Sequence, residues 1–131
     1  MRLIVCLDDK NGISFGERRQ SRDRVQVERM LKTVGEEKLY ISDYSAPLFG
    51  EIPSNVIVCS SPVEEAGDNY CFIEAEGVFD GDFEEIIIYR WNRVYPSDEK
   101  FNCDLLRDKK LVSSTDFKGN SHEKITEEIY R

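Results

Sequence analysis

The feature that most constrains the fold is one continuous stretch, residues 82–101, with the sequence DFEEIIIYRWNRVYPSDEKF. It starts as a run of isoleucines from Ile86 to Ile88, the composition expected of a strand inside a sheet that is covered on both faces. The run continues into aromatic and cationic residues and ends at Pro96. Open α/β sheets carry their sites at the carboxyl ends of their strands. The stretch therefore predicts an internal strand over residues 82–95 with a candidate site at its aromatic end.

The rest of the chain predicts strands that alternate with short helices, an order typical of an α/β fold with a mostly parallel sheet. The other predicted strands are residues 3–7, 38–42, 55–59, 70–74, 110–114 and 124–130. The last two are joined by a short connection, so we expect the final strand to be antiparallel to its neighbours.

One substantial helix is predicted, with Ser21 as its N-cap and Gly35 as its stop. Its apolar stripe consists of Val27, Met30, Leu31 and Val34. Residues 45–49 and 61–67 predict short helical turns, residues 75–83 at most one more, and residues 13–20 a loop.

Composition bounds the class of protein. A length of 131 residues predicts a single domain, 1–131. With 26 acidic and 18 basic residues the net charge is −8, which disfavours general attraction to nucleic acid or to an anionic membrane. The apolar run at the amino terminus is too short for a signal peptide or a membrane span, so a cytoplasmic protein is expected. The cysteines are expected to be free.

The order of the elements resembles dihydrofolate reductase over nearly the whole chain. The segments that carry the resemblance are the opening strand with Asn11-Gly12-Ile13, residues 55–61, Glu85 to Tyr89 with Asp98 and Phe101, and Asn120-Ser121-His122 followed by residues 128–131. The resemblance implies a three-layer, dihydrofolate reductase-like α/β fold with a mostly parallel sheet and an antiparallel C-terminal strand.

The residues through which that family binds its nicotinamide cofactor do not match. Its Gly-Gly turn corresponds here to residues 74–77, with Glu74 and Glu76, and its Gly-Arg-x-Thr segment to residues 42–45, with Asp43. Carboxylates in place of phosphate contacts would repel the cofactor. The position of the folate-pairing arginine falls near residues 53–54, which hold no base. We therefore expect no cofactor and no folate reduction; a divergent reductase with unusual cofactor contacts is the alternative.

Asp23 is the candidate catalytic carboxylate, because it falls where the resembled family places its own. A purely structural role is the alternative, since a carboxylate in the first helical turn interacts favourably with the helix dipole. Arg18, Arg19, Arg22 and Arg24 surround it in sequence and form either an anion clamp or a solvated face.

Strand alternation places Tyr89, Trp91, Arg93 and Tyr95 on one face of the predicted strand. Aromatic residues interleaved with arginine suit stacking on a planar ligand or an unpaired base. A core tryptophan with arginines that reach outward is the alternative.

His122 is the single histidine and lies in a polar hairpin, where an exposed loop residue is expected; a general acid–base role stays open. One histidine and no cysteine pair predict no metal site of the zinc type. The spacing of serine, histidine and aspartate residues does not predict a catalytic triad.

Two functions remain. The first is binding of a small planar or anionic ligand between the start of the first helix and the end of the isoleucine strand, through Arg19, Arg22, Asp23, Tyr89, Trp91 and Arg93. The second is a nucleic-acid or protein interaction module that uses residues 89–93. Neither reading predicts an oligomeric state.

Overall fold

The computed structural model describes residues 1–76 and 81–131. Its strands are β1 (Arg2–Leu7), β2 (Gly12–Phe15), β3 (Arg18–Arg19), β4 (Leu39–Ser42), β5 (Val56–Cys59), β6 (Tyr70–Phe72), β7 (Glu85–Arg90), β8 (Glu99–Lys100), β9 (Leu111–Phe117) and β10 (Ile125–Tyr130). The helices are α1 (Arg24–Val34) and α2 (Pro62–Glu65), with 3-10 turns at Ala46–Phe49 and Cys103–Leu106.

Seven of the strands form one sheet in the order β5-β4-β6-β1-β7-β10-β9. Neighbours from β5 to β7 are parallel, and β10 is antiparallel to both β7 and β9. The isoleucine strand, β7, is internal, between β1 and β10. The prediction of a mostly parallel sheet with an antiparallel last strand is confirmed. The strands β3, β2 and β8 form a separate small sheet.

Both faces of the large sheet are covered, which explains the uninterrupted apolar composition of β7. Ile87 packs on one face in a cluster with Met30 and Val34 of α1. Ile86 and Ile88 pack on the other face, in a cluster that includes Ala66, the residue after α2. The molecule therefore has the predicted three layers. No helix in the described ranges is long and apolar enough to cross a membrane.

Three local predictions were wrong. The isoleucine strand ends at Arg90 rather than at residue 95, because Asn92 adopts a left-handed backbone with φ of 59° that a strand cannot continue. Residues 13–20 are not a loop but carry the β2–β3 hairpin. The N-cap of α1 is Asp23, two residues after Ser21. The helical turn predicted at residues 75–83 lies partly outside the described residues.

The polar groups of the candidate site lie at the end of the sheet where the parallel strands have their carboxyl termini. The carboxyl ends of β1, β4, β6 and β7 meet there, because parallel strands end on the same side. The antiparallel β10 begins at this edge, with Thr126 opposite Arg90. Residues 118–124, which precede β10, therefore lie beside the end of β7 although they are distant from it in sequence.

Candidate functional site

The carboxylate of Asp23 joins the start of α1 to the loop before β10. Its Oδ1 accepts hydrogen bonds from the backbone N–H of Val25 at 2.9 Å and of Asn120 at 2.8 Å. Its Oδ2 accepts from the N–H of Ser121 at 2.9 Å and lies 2.9 Å from Nδ1 of His122. The residue is 3% exposed. Asp23 is thus a helix cap, as the structural alternative predicted, and also the anchor of a distant loop.

These bonds decide the charge of Asp23. Burial alone would raise its pKa, but the N–H of Asn120, the His122 side chain and the other donors hold the pKa well below its usual range. An ionised carboxylate only accepts hydrogen bonds, so Nδ1 of His122 carries the proton. In the neutral imidazole, the lone pair is then on Nε2.

Glycine at position 119 makes this approach possible. A Cβ at Gly119 would lie 2.6 Å from Oδ2 of Asp23 and 2.9 Å from Cδ1 of Ile125. Only a residue without a side chain lets the loop backbone come this close to the carboxylate.

His122 is buried, at 3% exposure, so the expectation of an exposed loop histidine was wrong. Its ring stacks on the indole of Trp91, with 4.6 Å between centroids and 22° between planes. Its Nε2 lies 3.0 Å from Oγ of Ser21 and 3.0 Å from the hydroxyl of Tyr95. Ser21, His122 and Asp23 therefore form a hydroxyl–imidazole–carboxylate chain that sequence spacing did not predict.

A cavity of about 410 Å³ opens beside this chain, between the start of α1 and the loop before β10. Its polar lining includes Arg22, Arg24, Asn120 and Ser121, together with Asp23, whose oxygens are already occupied by donors. Its apolar wall consists of Val27, Pro47 and Leu48. We call it the arginine cavity.

Arg19 does not reach that cavity, because Glu74 holds it. Its Nε and Nη2 donate to the two carboxylate oxygens of Glu74 at 2.8 and 3.0 Å, and Ser45 donates to the same carboxylate at 2.7 Å. The Arg19 guanidinium also lies over the ring of Tyr44, 4.2 Å from its centroid. This contact ties the β2–β3 hairpin to the end of β6.

The residues near Glu74 do not fit the phosphates of a nicotinamide cofactor. The backbone N–H of Glu74 donates to the carboxylate of Glu76 at 2.6 Å, so a group that would approach a phosphate is occupied. An adjacent cavity of about 550 Å³ is lined by Glu17, Glu76, Asp98 and Glu99. Four carboxylates repel a dianionic phosphate. Within residues 1–76 and 81–131, no three His, Cys, Asp or Glu side chains are grouped as metal ligands.

The aromatic run of β7 does not form the surface that alternation suggested. Tyr89 is completely buried and donates its hydroxyl to Glu127 at 2.7 Å. Trp91 is 3% exposed and faces His122. Arg93 donates from its Nη2 to the carbonyl of Ser121 at 3.4 Å. Residues 89–93 therefore offer no aromatic platform for an unpaired base, and Tyr89 offers no surface to a ligand.

A signal for His122 was present in the sequence. The final strand was predicted to be antiparallel, and the residue before such a strand lies at the carboxyl ends of its parallel neighbours. The predicted direction of the last strand, combined with the internal position predicted for β7, would have placed residues 118–124 beside the end of β7. No comparable signal was available for Ser21, because its position depends on how the β2–β3 hairpin leads into α1.

Comparison with solved structures identifies the architecture. The chain is similar to dihydrofolate reductase from Enterococcus faecalis, solved with NADP(H) and RAB-propyl, with a TM-score of 0.66 and 10% sequence identity over 99% of this chain and 94% of that one. No family model matches the sequence, and no curated protein matches it. At this identity the likeness establishes the fold alone: the protein has a dihydrofolate reductase-like α/β fold.

Proposed function

We propose that the protein binds a small, flat, anionic ligand in the arginine cavity. The observation that carries the proposal is the pairing of two arginines with an apolar wall in one concave site of about 410 Å³. Ligand pockets commonly measure roughly 300 to 1,000 Å³ and combine apolar walls with a few polar groups.

The charge of the cavity supports an anion. Among the described residues Arg22 forms no ion pair. Arg24 lies 3.9 Å from Glu28, with both side chains well exposed, and its Nη2 donates to Oδ1 of Asn120 at 3.3 Å. An exposed pair of this kind contributes little. Neither guanidinium is held by a buried carboxylate, so both can bind a carboxylate or phosphate, which arginine does in a bidentate manner.

The remaining lining supports a flat body with hydrogen-bonding edges. Val27 and Leu48 provide apolar contact, and Asn120 and Ser121 provide polar atoms. The proposed location agrees with the sequence expectation for Arg22 and Asp23. Arg19, Tyr89 and Trp91 are not part of its lining. Arg93 is outside the cavity lining.

A thermal-shift screen tests this proposal. The panel contains pterins, purine nucleotides and aromatic carboxylates, and we expect at least one class to give a saturable rise in melting temperature. Arg22→Gln combined with Arg24→Gln should abolish the shift. Arg107→Gln is the matched control, because Arg107 is exposed and paired only with its neighbour Asp104 in the described structure. A shift that survives the double substitution would reject the arginine cavity.

Salt dependence separates this function from a nucleic-acid interaction. A ligand held by two arginines should lose affinity modestly as salt rises, whereas contact with many phosphates gives a steep loss. A steep dependence with single-stranded RNA or DNA would favour the interaction module instead.

We expect no binding of a nicotinamide cofactor, because the carboxylates of Glu74 and Glu76 lie where the phosphate contacts would be required. Titration calorimetry with NADPH should give no saturable heat up to about millimolar cofactor, which corresponds to roughly 4 kcal/mol of binding free energy. Micromolar affinity would contradict the argument and favour a divergent reductase.

A further inference from the structure

We propose that Ser21 is a nucleophile for acyl transfer, with His122 as its general base and Asp23 as the residue that positions the imidazole. The substrate class is an activated ester or thioester with a short acyl group. Oγ of Ser21 is 3.0 Å from Nε2 of His122, and Nδ1 of His122 is 2.9 Å from Oδ2 of Asp23. This inference does not depend on the anion proposed for the arginine cavity.

The hydrogen-bond network selects the histidine tautomer that the chemistry requires. Asp23 accepts from four partners through its two oxygens, so the proton between it and His122 is on Nδ1. Nε2 then presents its lone pair toward the hydroxyl of Ser21. This division of roles among hydroxyl, imidazole and carboxylate defines a triad on unrelated folds, irrespective of chain order.

If Asp23 and His122 served only to fix the loop before β10 to α1, the contact between His122 and Ser21 would not be needed. The backbone N–H groups of Asn120 and Ser121 already fix the loop to Asp23. Stacking on Trp91 already fixes the plane of the His122 ring. The contact from Nε2 to Ser21 adds a partly exposed hydroxyl at the end of a buried, oriented base.

The hydroxyl of Tyr95 lies near the same nitrogen of His122 as Ser21 does, and in this proposal it stabilises the developing negative charge. Its hydroxyl is also 3.0 Å from Nε2, but one lone pair accepts only one hydrogen bond. When Ser21 donates to Nε2, the hydroxyl hydrogen of Tyr95 is free to point at another oxygen. It is then a donor close to the carbonyl oxygen that becomes negative during attack.

The surroundings of Ser21 limit the acyl group. The space in front of it measures about 10 Å³, comparable to one water molecule, and is lined by Cys6, Ile13, Ile73 and Trp91. Arg19 and Gln20 of the hairpin segment also border it. Glu74, which pairs with Arg19, completes the lining, so half of the walls are polar. So little room favours a group of acetyl size, admitted in this proposal by a small displacement of the hairpin.

The reaction balances with water as the only further reactant. Oγ of Ser21 attacks the carbonyl carbon while its proton moves to Nε2 of His122. The bond from that carbon to the leaving oxygen or sulfur breaks, and the leaving group takes the proton. Water then attacks the acyl-serine, gives a proton to His122, and releases the carboxylic acid as Ser21 recovers its hydrogen.

An alkyl fluorophosphonate is the direct probe, because an activated serine displaces its fluoride and keeps the phosphonyl group. We expect one adduct per folded protein, located on Ser21 by peptide mass spectrometry. Ser21→Ala should abolish it, and His122→Asn should slow it by about 100-fold or more, the scale of general-base catalysis. The exposed Ser54→Ala is the matched control and should label as the wild type does.

Three results would overturn the inference: no adduct on the folded wild type under conditions that fully label a known serine hydrolase, an adduct on Tyr95 instead, or equal labelling after unfolding in urea. The urea comparison uses the wild type, so the test stands even where His122→Asn fails to fold. The anion-binding proposal is measured separately, by thermal shift on unlabelled protein, so failure of one proposal does not decide the other.

Discussion

Asp23 and Glu127 are both buried carboxylates, 3% and 2% exposed, and both tie α1 to the C-terminal hairpin, yet they are completed in different ways. Glu127 accepts from Arg29 at 2.9 and 3.2 Å, from Thr33 at 2.8 Å and from Tyr89 at 2.7 Å. Its partners are a buried hydroxyl of the core, Tyr89, a threonine of α1, and the arginine of an ion pair. Asp23 accepts mainly from backbone groups, and its one side-chain partner with a second nitrogen, His122, leads outward to Ser21.

The difference distinguishes a carboxylate paired with a fixed cation from one held mainly by backbone N–H groups. A carboxylate whose charge is neutralised by an arginine has a cationic partner that cannot give up its proton. A carboxylate held mainly by peptide N–H groups can instead orient a histidine, whose second ring nitrogen stays available for another partner. Burial and hydrogen-bond number alone do not distinguish the two residues, whereas the identity of the partners does.

The largest expected effect is the loss of Glu127. Glu127→Ala leaves Arg29 and the Tyr89 hydroxyl without their acceptor, and breaking such a pair costs about 3 to 5 kcal/mol of unfolding free energy. Urea denaturation measures it, with the exposed Glu123→Ala as control and an expected change within about 0.5 kcal/mol. A loss below about 1 kcal/mol would mean that Glu127 is not the structural member of the pair.

Gly119→Ala tests the close approach at the other carboxylate. The added methyl would meet Asp23 and Ile125, and overpacking of this kind costs about 1 to 3 kcal/mol. In an Asp23→Ala background the same substitution should cost less, because one of the clashing groups is gone. Equal costs in the two backgrounds would show that the loop does not depend on this contact.

Acid unfolding addresses both carboxylates together. The pKa of Asp23 is held below its ordinary 3.8, and that of Glu127 below its ordinary 4.5 by Arg29, Tyr89 and Thr33 although burial opposes them. A depressed folded-state pKa gives stability that is present above the unfolded value and is lost as pH falls below it. The unfolding free energy should therefore decline below a pH of about 4.5 and further below about 3.8. The decline should be smaller in Glu127→Gln.

The smallest effect is expected at Ser21. Ser21→Ala removes a partly exposed hydroxyl and should change the unfolding free energy by no more than about 0.5 kcal/mol. A loss above about 1.5 kcal/mol would place Ser21 with Glu127 as a structural residue.

The sequence predicted the fold well because periodic and apolar patterns report burial directly. The isoleucines of β7 indicated an internal strand, and the short connection before β10 indicated its direction. The end of β7 was missed because a single left-handed residue, Asn92, stops the strand while the composition around it still favours one.

The site was predicted less well because it depends on groups that only the tertiary fold brings together. Asp23 was predicted through the resemblance and Arg22 through clustering in sequence, and the structure places both at the arginine cavity. Tyr89 and Trp91 face inward, since the strand face that alternation assigned to them is the face covered by α1. His122 is 99 residues from Asp23, and polarity of the local sequence suggested exposure.

The ion pair between Arg19 and Glu74 has a consequence for how the hairpin is controlled. A lid closed by a diffusible anion opens when that anion is diluted. Here the anion is part of the chain, and its effective concentration is set by the fold rather than by supply, typically at millimolar or above for a tethered partner. The attachment of the hairpin to the end of β6 therefore does not depend on the level of a diffusible anion, and a competing group would have to displace one member of the pair to release it.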